Sequence, residues 1–310
     1  MLVLSLAIGA RALSPAQVWD GLRDSHTDAY TVVHQMRLPR TWLGLLVGAA
    51  LGVAGGIMQA LTRNPLADPG LLGINAGASA AVVLAISALG VTGLSGYVWF
   101  AFGGAAVASV LGWLIGGGRG ATPMRLVLAG AAINAALYSY VSAAELLDTA
   151  SLDRMRFWTV GSMAAATSAT VLTILPFVAV GLLLALVLAR PLNALALGDH
   201  TAKSLGARPG LTRAGALTAV TLLCGAATAA CGPLVFLGLM VPHLVRPLTG
   251  PSLRRVLPLC ALLAPALLLL ADILGRIAAR PSEIQVGVVT AIIGGPFFLL
   301  SLRRGRVPDA

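Results

Sequence analysis

The glycine run at residues 116–120 and the single lysine, Lys203, are the parts of the chain that could hold a phosphate group. A Walker A loop needs a lysine between a glycine and a Ser or Thr, so that backbone amides and the lysine surround the phosphates. Lys203 follows Ala202, and the glycine run contains no lysine, so neither segment forms that loop. If ATP powers this protein, a different polypeptide binds it.

Cysteine and histidine are the next residues that could do chemistry, as metal ligands or nucleophiles. Cys224, Cys231 and Cys260 lie in apolar segments without C-x-x-C spacing, so buried packing is their expected role. The four histidines are scattered, and none pairs with Cys, Asp or Glu at the spacing of metal ligands. We therefore predict no catalytic residue, no metal site and no bound cofactor in this chain.

The composition indicates which elements must position the remaining polar residues. Hydrophobic residues make up 58% of the chain and charged residues 10%, and the mean hydropathy is +0.91. A soluble domain has about 25% charged residues. Apolar runs of about the length that a helix needs to cross a bilayer recur along the whole chain. The sequence therefore predicts an all-α, polytopic membrane protein, with residues 1–310 as one transmembrane domain.

Run length and flanking charge predict nine spans, and a tenth is suggested at the amino-terminal end. The run Met1–Ala10 is too short to cross the membrane and lacks the features of a signal peptide. We expect it to be the second half of a span whose beginning is missing; the alternative is a half-buried entry segment. The nine spans are 41–61, 71–90, 97–115, 125–147, 169–189, 211–230, 233–248, 256–275 and 284–302.

Charge predicts the orientation of these spans. With the carboxyl end inside, the inner segments hold thirteen Lys and Arg against three Asp, and the outer segments hold eight Arg against eight acidic residues. The whole net charge of +10 then lies inside, in agreement with the excess of Lys and Arg in cytoplasmic loops. The basic pI is therefore explained by the positive charge of the inner segments, and we expect no nucleic acid to bind.

The longest polar stretch on the inner side contains a predicted short helix. Gly198 is followed by Asp199, which we expect to be the N-cap, and Gly206 is the expected C-cap. An organised loop on one face of a membrane protein indicates a docking element for another protein. Its residues of interest are Gly198, Asp199, Ala202, Lys203, Ser204, Leu205 and Gly206.

The predicted span 41–61 carries glycines at four-residue spacing, which places Gly44, Gly48, Gly52 and Gly56 on one stripe of the helix. A neighbouring helix can approach closely along such a stripe. The alternatives are packing within one subunit and an interface between subunits.

The outer end of the same span carries Arg37 and Arg40, against the positive-inside trend. These arginines either receive an acidic partner or anchor the helix to lipid head groups. Both readings stay open from the spacing alone.

Intramembrane carboxylates are the first sign of a proton- or sodium-coupled carrier. The candidates are Asp272 and Glu145. Asp272 precedes Arg276 by one helical turn, so we expect a structural ion pair at the outer end of its span. Glu145 lies near the outer end of another span. This pattern favours a conduit opened mechanically over a secondary carrier.

Several long motifs, in chain order, closely resemble those of the FecCD family, the permease subunits of type II ABC importers. The resemblance runs from about residue 11 to residue 306. It implies a ten-span, all-helical subunit that imports ferric siderophores, haem or cobalamin. The motifs are Arg37–Arg40, Gly55–Ala60, Asn64–Gly73, Gly198–Gly206, Phe236–His243, Val286–Thr290 and Gly294–Phe298.

The resemblance also implies partners and roles for particular residues. Arg37, Arg40 and Arg276 match arginines that dock an extracytoplasmic binding protein. The loop 198–206 matches the coupling helices that sit in a groove of the ATPase. Two separate ATPase subunits hold ATP and magnesium and drive opening. Asn64, Leu66 and Thr122 match the cytoplasmic gate. A second permease, either another copy or a paralogue, completes the assembly, and ferric siderophores are the most common cargo of this family.

Overall fold

The computed structural model of the protein describes residues 1–9, 13–91, 94–148, 153, 155–156 and 158–303. Within these ranges every regular element is helical. The motifs of the sequence fall on helices and on the turns that connect them. The two ends of the region that resembles the FecCD family, Arg11 and Arg306, lie outside the described residues.

Thirteen α-helices make up the described part of the chain, and three shorter turns connect some of them. A π-helical turn, Val32–Arg37, leads into α4, and 3-10 turns lie at Pro69–Leu72 and Gly118–Gly120. The helices are α1 Leu2–Ala7, α2 Pro15–Arg23, α3 Asp28–Thr31, α4 Leu38–Thr62, α5 Ile74–Ser87, α6 Leu94–Ile115, α7 Pro123–Leu147, α8 Ser168–Ala196, α9 Asp199–Ser204, α10 Pro209–Cys231, α11 Leu237–Thr249, α12 Leu253–Ala278 and α13 Val286–Arg303.

Each of the nine predicted spans contains a helix, although the helices differ in length. Six helical segments of the described ranges are long and apolar enough to cross a membrane. They are Asp28–Thr62, Gly96–Ile115, Pro123–Leu147, Ser168–Ala196, Pro209–Cys231 and Leu253–Ala278. Two further apolar helices, Ile74–Ser87 and Val286–Leu300, are shorter. The prediction of 169–189 was too short, because α8 continues through Pro191 to Ala196.

Helix α4 lies at the centre of the bundle, and most of its residues are buried. Its glycine stripe faces α12. A Cβ added at Gly48 would lie 2.5 Å from the Cα of Pro265, and one added at Gly52 would lie 2.5 Å from the Cβ of Ala264. Gly44 and Gly56 meet α12 in the same way, against Leu269 and Leu257. The stripe therefore packs within the subunit.

Helices α5 and α11 are short, and each follows a segment that is not α-helical, residues 63–73 before α5 and residues 232–236 before α11. A Cβ at Gly238, in the first turn of α11, would lie 3.0 Å from the Cδ of Pro69 and 3.1 Å from the carbonyl oxygen of Leu51. Leu51 precedes Thr62, the last residue of α4, by eleven residues, or about 16 Å along the helix axis. Residues 63–73 therefore run back from the end of α4 towards its middle without α-helix, although Pro69–Leu72 form the 3-10 turn. The predicted span 71–90 is accordingly α-helical only from Ile74 to Ser87.

Candidate coupling loop, gate and outer arginine cluster

The polar loop after α8 contains the predicted short helix, but its cap differs from the prediction. Gly198 is the N-cap of α9, and Asp199 is the first helical residue, whose side chain caps nothing. Leu205 is the C-cap, and Gly206 follows it with φ of +80°, a conformation that favours glycine. The prediction of Asp199 as the N-cap was wrong because its carboxylate is engaged elsewhere.

Asp199 fixes the loop to two neighbouring helices. Its Oδ1 accepts hydrogen bonds from the Nη2 of Arg63 at 3.0 Å and from the Nη2 of Arg213 at 2.8 Å. Arg63 also donates to the carbonyl oxygen of Leu195, at 2.8 Å. The loop is thereby tied to the inner end of α4, to the end of α8 and to the first turns of α10.

These contacts set the charge of Asp199. Burial acts to raise the pKa of its carboxyl group, but the hydrogen bond and the charge of Arg213, followed by those of Arg63, outweigh burial. The pKa therefore lies below its usual value. The lowered pKa favours the ionised carboxylate, which is the form that pairs with both arginines.

The loop exposes one apolar side chain, Leu205, together with polar residues, and buries Ala202 on its other side. Ala202 is fully buried against the bundle, whereas Lys203 and Ser204 are exposed. Leu205 is 64% exposed at the end of α9. An exposed leucine beside a lysine, on a loop held by ion pairs, is a pre-formed surface suited to another protein.

The predicted gate residues lie at the start of the segment that returns into the bundle and at the start of α7. The Oδ1 of Asn64 accepts a hydrogen bond from the amide of Leu66 at 2.9 Å, which fixes a tight turn after α4. Thr122 is the N-cap of α7, and its hydroxyl accepts from the amide of Arg125. Their role as a gate stays a prediction.

At the end of α4 that the charge pattern predicts to be outside, Arg40 binds two carboxylates. Its Nη2 lies 2.7 Å from the Oδ1 of Asp272, and its Nη1 lies 2.7 Å from the Oε2 of Glu283. Asp272 is 1% exposed, whereas the side chain of Glu283 is half-buried. Arg40 therefore reaches from a buried ion pair to the surface.

The other two predicted docking arginines are buried beneath α1. Arg276 pairs with Asp272, as the four-residue spacing predicted, and its Nη1 donates to the carbonyl oxygens of Ser5 and Ile8, each at 3.0 Å. Arg37 donates to the carbonyl oxygen of Leu6. In this arrangement Arg37 and Arg276 hold the carboxyl end of α1, and among the three arginines Arg40 is the most accessible.

A comparison of the sequence with known protein families gives one match over nearly the whole chain. The model of the FecCD transport family matches residues 1–304. The chain belongs to the FecCD transport family.

Relatives of this FecCD-family chain cover nearly its whole length. It is 46% identical over 304 residues to the ferric enterobactin transport system permease protein FepD of Escherichia coli K12, covering 97% of this chain and 91% of the relative. It is 42% identical to the Fe(3+)-citrate import system permease protein YfmD of Bacillus subtilis 168, covering 98% and 91%. A haemin transport permease of Yersinia pestis, HmuU, also matches, at 39% identity.

A solved structure has the same fold. The chain superimposes on an inward-facing metal-chelate type ABC transporter with a TM-score of 0.87 and 28% sequence identity, covering 98% of this chain and 95% of the other. The FecCD-family chain is therefore a multi-pass membrane protein of the transporter permease class, and permease subunits are not enzymes.

Two parts of the FecCD-family sites were missed by sequence reasoning. Glu283 was counted only as an outer charge, and the Arg40 pairs with Asp272 and Glu283 join residues more than 230 positions apart. Asp68, in the segment that returns into the bundle, was counted only as an inner charge, although its carboxylate binds the backbone inside the bundle. The Arg40 contacts join distant parts of the chain and depend on the tertiary fold. The Asp68 contact is local, because Asp68 is the N-cap of the 3-10 turn, and an Asp directly before Pro69 and Gly70 is a signal that could have indicated it.

The ion pairs of Arg40 and Arg276 with Asp272 and of Arg40 with Glu283, called the outer network below, predict which carboxylate contributes more to the stability of the protein. Asp272→Asn leaves Arg40 and Arg276 without their shared buried carboxylate, and we expect a loss of about 3–5 kcal/mol. Glu283→Gln removes a half-exposed partner, and we expect a loss of about 0–1 kcal/mol. Thermal unfolding of the detergent-solubilised variants measures both. Equal destabilisation by the two changes would contradict the central position of Asp272.

Proposed function

We propose that this chain is the permease subunit of an ATP-driven importer that carries ferric siderophores across the cell membrane. The observation that carries the proposal is the 46% identity with a ferric enterobactin permease over 97% of the chain. Relatives named for ferric citrate and ferric hydroxamates support the same class of cargo. Haem is the alternative cargo within the family, favoured by the haemin permease relative.

The proposal includes partners on both faces of the membrane. A binding protein delivers cargo from outside, and two ATPase subunits, which hold ATP and magnesium, drive the cycle from the cytoplasm. A second permease copy or a paralogue forms the other half of the pathway. The charge asymmetry supports an inside carboxyl end, because all of the net positive charge then lies on the cytoplasmic side.

The geometry of the coupling loop supports a mechanical role. Force applied by an ATPase to Leu205 or Lys203 passes through Asp199 to Arg63 and Arg213. Arg63 directly precedes the predicted gate residue Asn64, so movement of the loop acts on the start of the gate segment. No bond in the cargo is made or broken in this chain; the cycle changes only the population of two packings of the same helices.

Transport by reconstituted complexes tests the function. Proteoliposomes containing this permease, its ATPase and its binding protein should accumulate iron-55 from ferric enterobactin only when ATP is supplied. An ionophore should not abolish the uptake. Uptake that persists without ATP and collapses with the ionophore would contradict the proposal and indicate an ion-coupled carrier. Uptake of haemin in preference to ferric enterobactin and ferric citrate would identify the haem alternative.

The coupling loop predicts an effect on ATPase binding. Leu205→Asp places a charge on the exposed apolar contact, and we expect the yield of co-purified ATPase to fall about tenfold and cargo-stimulated hydrolysis to be lost. Leu147→Asp is the matched control, since Leu147 is 89% exposed at the opposite end of α7. Normal ATPase recovery with Leu205→Asp would show that the loop is not the coupling site.

The outer network predicts competition for Arg40. We propose that glutamates of the binding protein contact Arg40, with Arg37 and Arg276 available where α1 is displaced. Because Glu283 already occupies Arg40, Glu283→Gln should tighten binding about threefold, and Arg40→Gln should weaken it about tenfold. Surface plasmon resonance with the permease in nanodiscs measures both affinities. Affinities unchanged by both substitutions would contradict docking at this cluster.

A further inference from the structure

The segment Arg63–Gly73 is not α-helical, and its part from Ala67 to Leu72, which includes the 3-10 turn, is largely buried among the helices, where polar groups of the backbone need partners within the protein. Both backbone groups of Gly70 have side-chain partners. The Oδ1 of Asp68 accepts a hydrogen bond from the amide of Gly70 at 2.8 Å. The Nδ2 of Asn134, on α7, donates to the carbonyl oxygen of Gly70 at 3.2 Å. The Asp68 bond caps the 3-10 turn of the segment itself, and the carbonyl oxygen of Gly70 also accepts from the amide of Gly73 at 3.1 Å. Asn134 is therefore the side chain that ties Gly70 to another helix.

A second contact joins α5, the helix that directly follows this segment, to α10. The hydroxyl of Thr228 donates to the Oδ1 of Asn75, in the first turn of α5, at 2.9 Å. A Cβ at Gly70 would lie 2.9 Å from the Nδ2 of Asn75 and 3.0 Å from the Oδ1 of Asp68, so these two side chains converge over Gly70. Thr228 itself is buried. We call Asp68, Asn75, Asn134 and Thr228 the polar latch.

The backbone of helix α7 also lies in direct contact with the backbone of the 3-10 turn at Pro69–Leu72. A Cβ at Gly130 would lie 1.9 Å from the carbonyl oxygen of Leu71, so no larger side chain fits there without moving the turn. One at Gly73 would lie 2.8 Å from the Cγ2 of Ile133. Gly130, Ile133 and Asn134 are three and four residues apart, which places them on one face of α7. The turn therefore rests on a continuous face of that helix.

The same helix carries the other predicted gate element at its first turn. Thr122 caps α7 eight residues before Gly130, about 12 Å along a continuous helix. The segment that α7 contacts has left-handed backbone at both ends, with φ of +51° at Arg63 and +83° at Gly73. Such ends are positions at which a short segment can change direction while the helices beside it stay intact.

We propose that the polar latch makes α7 the common support of both gate elements, so that the segment Arg63–Gly73 and Thr122 move as one unit. Asp68 and Asn134 are positioning residues: they hold the backbone of Gly70 and need not touch the cargo. Asp68 acts as a hydrogen-bond acceptor in this role, and its negative charge is not required. The proposal rests on the proposed function, because it assigns the segment to the gate of an importer.

Thiol labelling of the gate segment tests the latch independently of transport. Leu66→Cys introduces a reporter thiol, and the native Cys224, Cys231 and Cys260 are buried and provide a low background. The complete complex, in nanodiscs with its ATPase, is treated with a membrane-impermeant maleimide. In this background Asp68→Leu and Asn134→Leu should each raise the labelling rate about tenfold, because the segment loses a fixed contact. Thr228→Val, a smaller change of shape, should raise it in the same direction.

Two comparisons decide the outcome. Asp68→Asn keeps an acceptor oxygen and should label within about twofold of the parent protein. Ser139→Ala is the control on α7, since the Ser139 hydroxyl bonds only to its own helix at Ala135 among the described contacts, and it should have no effect. Labelling unchanged by Asp68→Leu and Asn134→Leu would overturn the latch. An Asp68→Asn variant that behaves like Asp68→Leu would also overturn it, since the charge would then be the requirement.

Uptake of iron-55 from ferric enterobactin, measured on the same variants, separates this proposal from the proposed function. We expect Asn134→Leu to hydrolyse about tenfold more ATP per iron atom imported than the parent protein. If the parent protein imports no iron, the proposed function fails, whereas the labelling rates still decide whether the latch holds the segment. Equal coupling ratios in the parent and in Asn134→Leu would contradict the common movement of the two gate elements.

Discussion

Hydrocarbon offers no hydrogen-bond partner to a peptide group, and this constraint governs where the chain can leave the helical conformation. Two breaks, at residues 63–73 and 232–236, each contain residues buried among the helices, such as Ala67 and Leu72 in the first and Leu234 in the second. The first lies beside α4 and α11, where Pro69 meets Gly238. The second ends at Phe236, whose φ of +68° is rare for a residue with a side chain, and Phe236 packs against Gly294. Each break depends on neighbours that supply the missing hydrogen bonds or space.

The buried position of α4 makes those neighbours available. Its glycines let α12 approach to backbone distance along one stripe, and Gly55 gives the same access to α11, where its added Cβ would lie 1.8 Å from the carbonyl oxygen of Gly238. Dispersion contacts and backbone proximity hold such helices together, since lipid chains leave little hydrophobic driving force between them. Larger residues at these positions would separate the helices that cover the non-helical segments.

Helix α4 also joins the two charged clusters of the protein. Arg40 at its outer end binds Asp272 and Glu283, and Arg63 at its inner end binds Asp199. The two arginines are 23 residues apart, or about 34 Å on a continuous helix, which is close to the thickness of the hydrocarbon core. The outer network and the coupling loop are thus attached to the same buried helix. A shift of α4 therefore displaces both charged clusters.

The sequence alone predicted what depends on composition and on neighbouring residues. The apolar runs predicted the membrane class and the approximate position of the helices, the four-residue spacing predicted the pair of Asp272 with Arg276, and long collinear motifs predicted the family. These features are local or cumulative, so one chain without a structure is sufficient to find them.

Only the tertiary structure decided which distant groups meet. It showed that Arg40 shares Asp272 with Arg276, that Asp199 binds Arg63 and Arg213 instead of capping its own helix, and that Asp68 and Asn134 meet at Gly70. It also showed that the glycine stripe packs on α12. The physical reason is that the type of a residue determines only which kinds of bond its side chain can make. Which partner lies within bonding distance is determined by the packing of helices that are far apart in sequence.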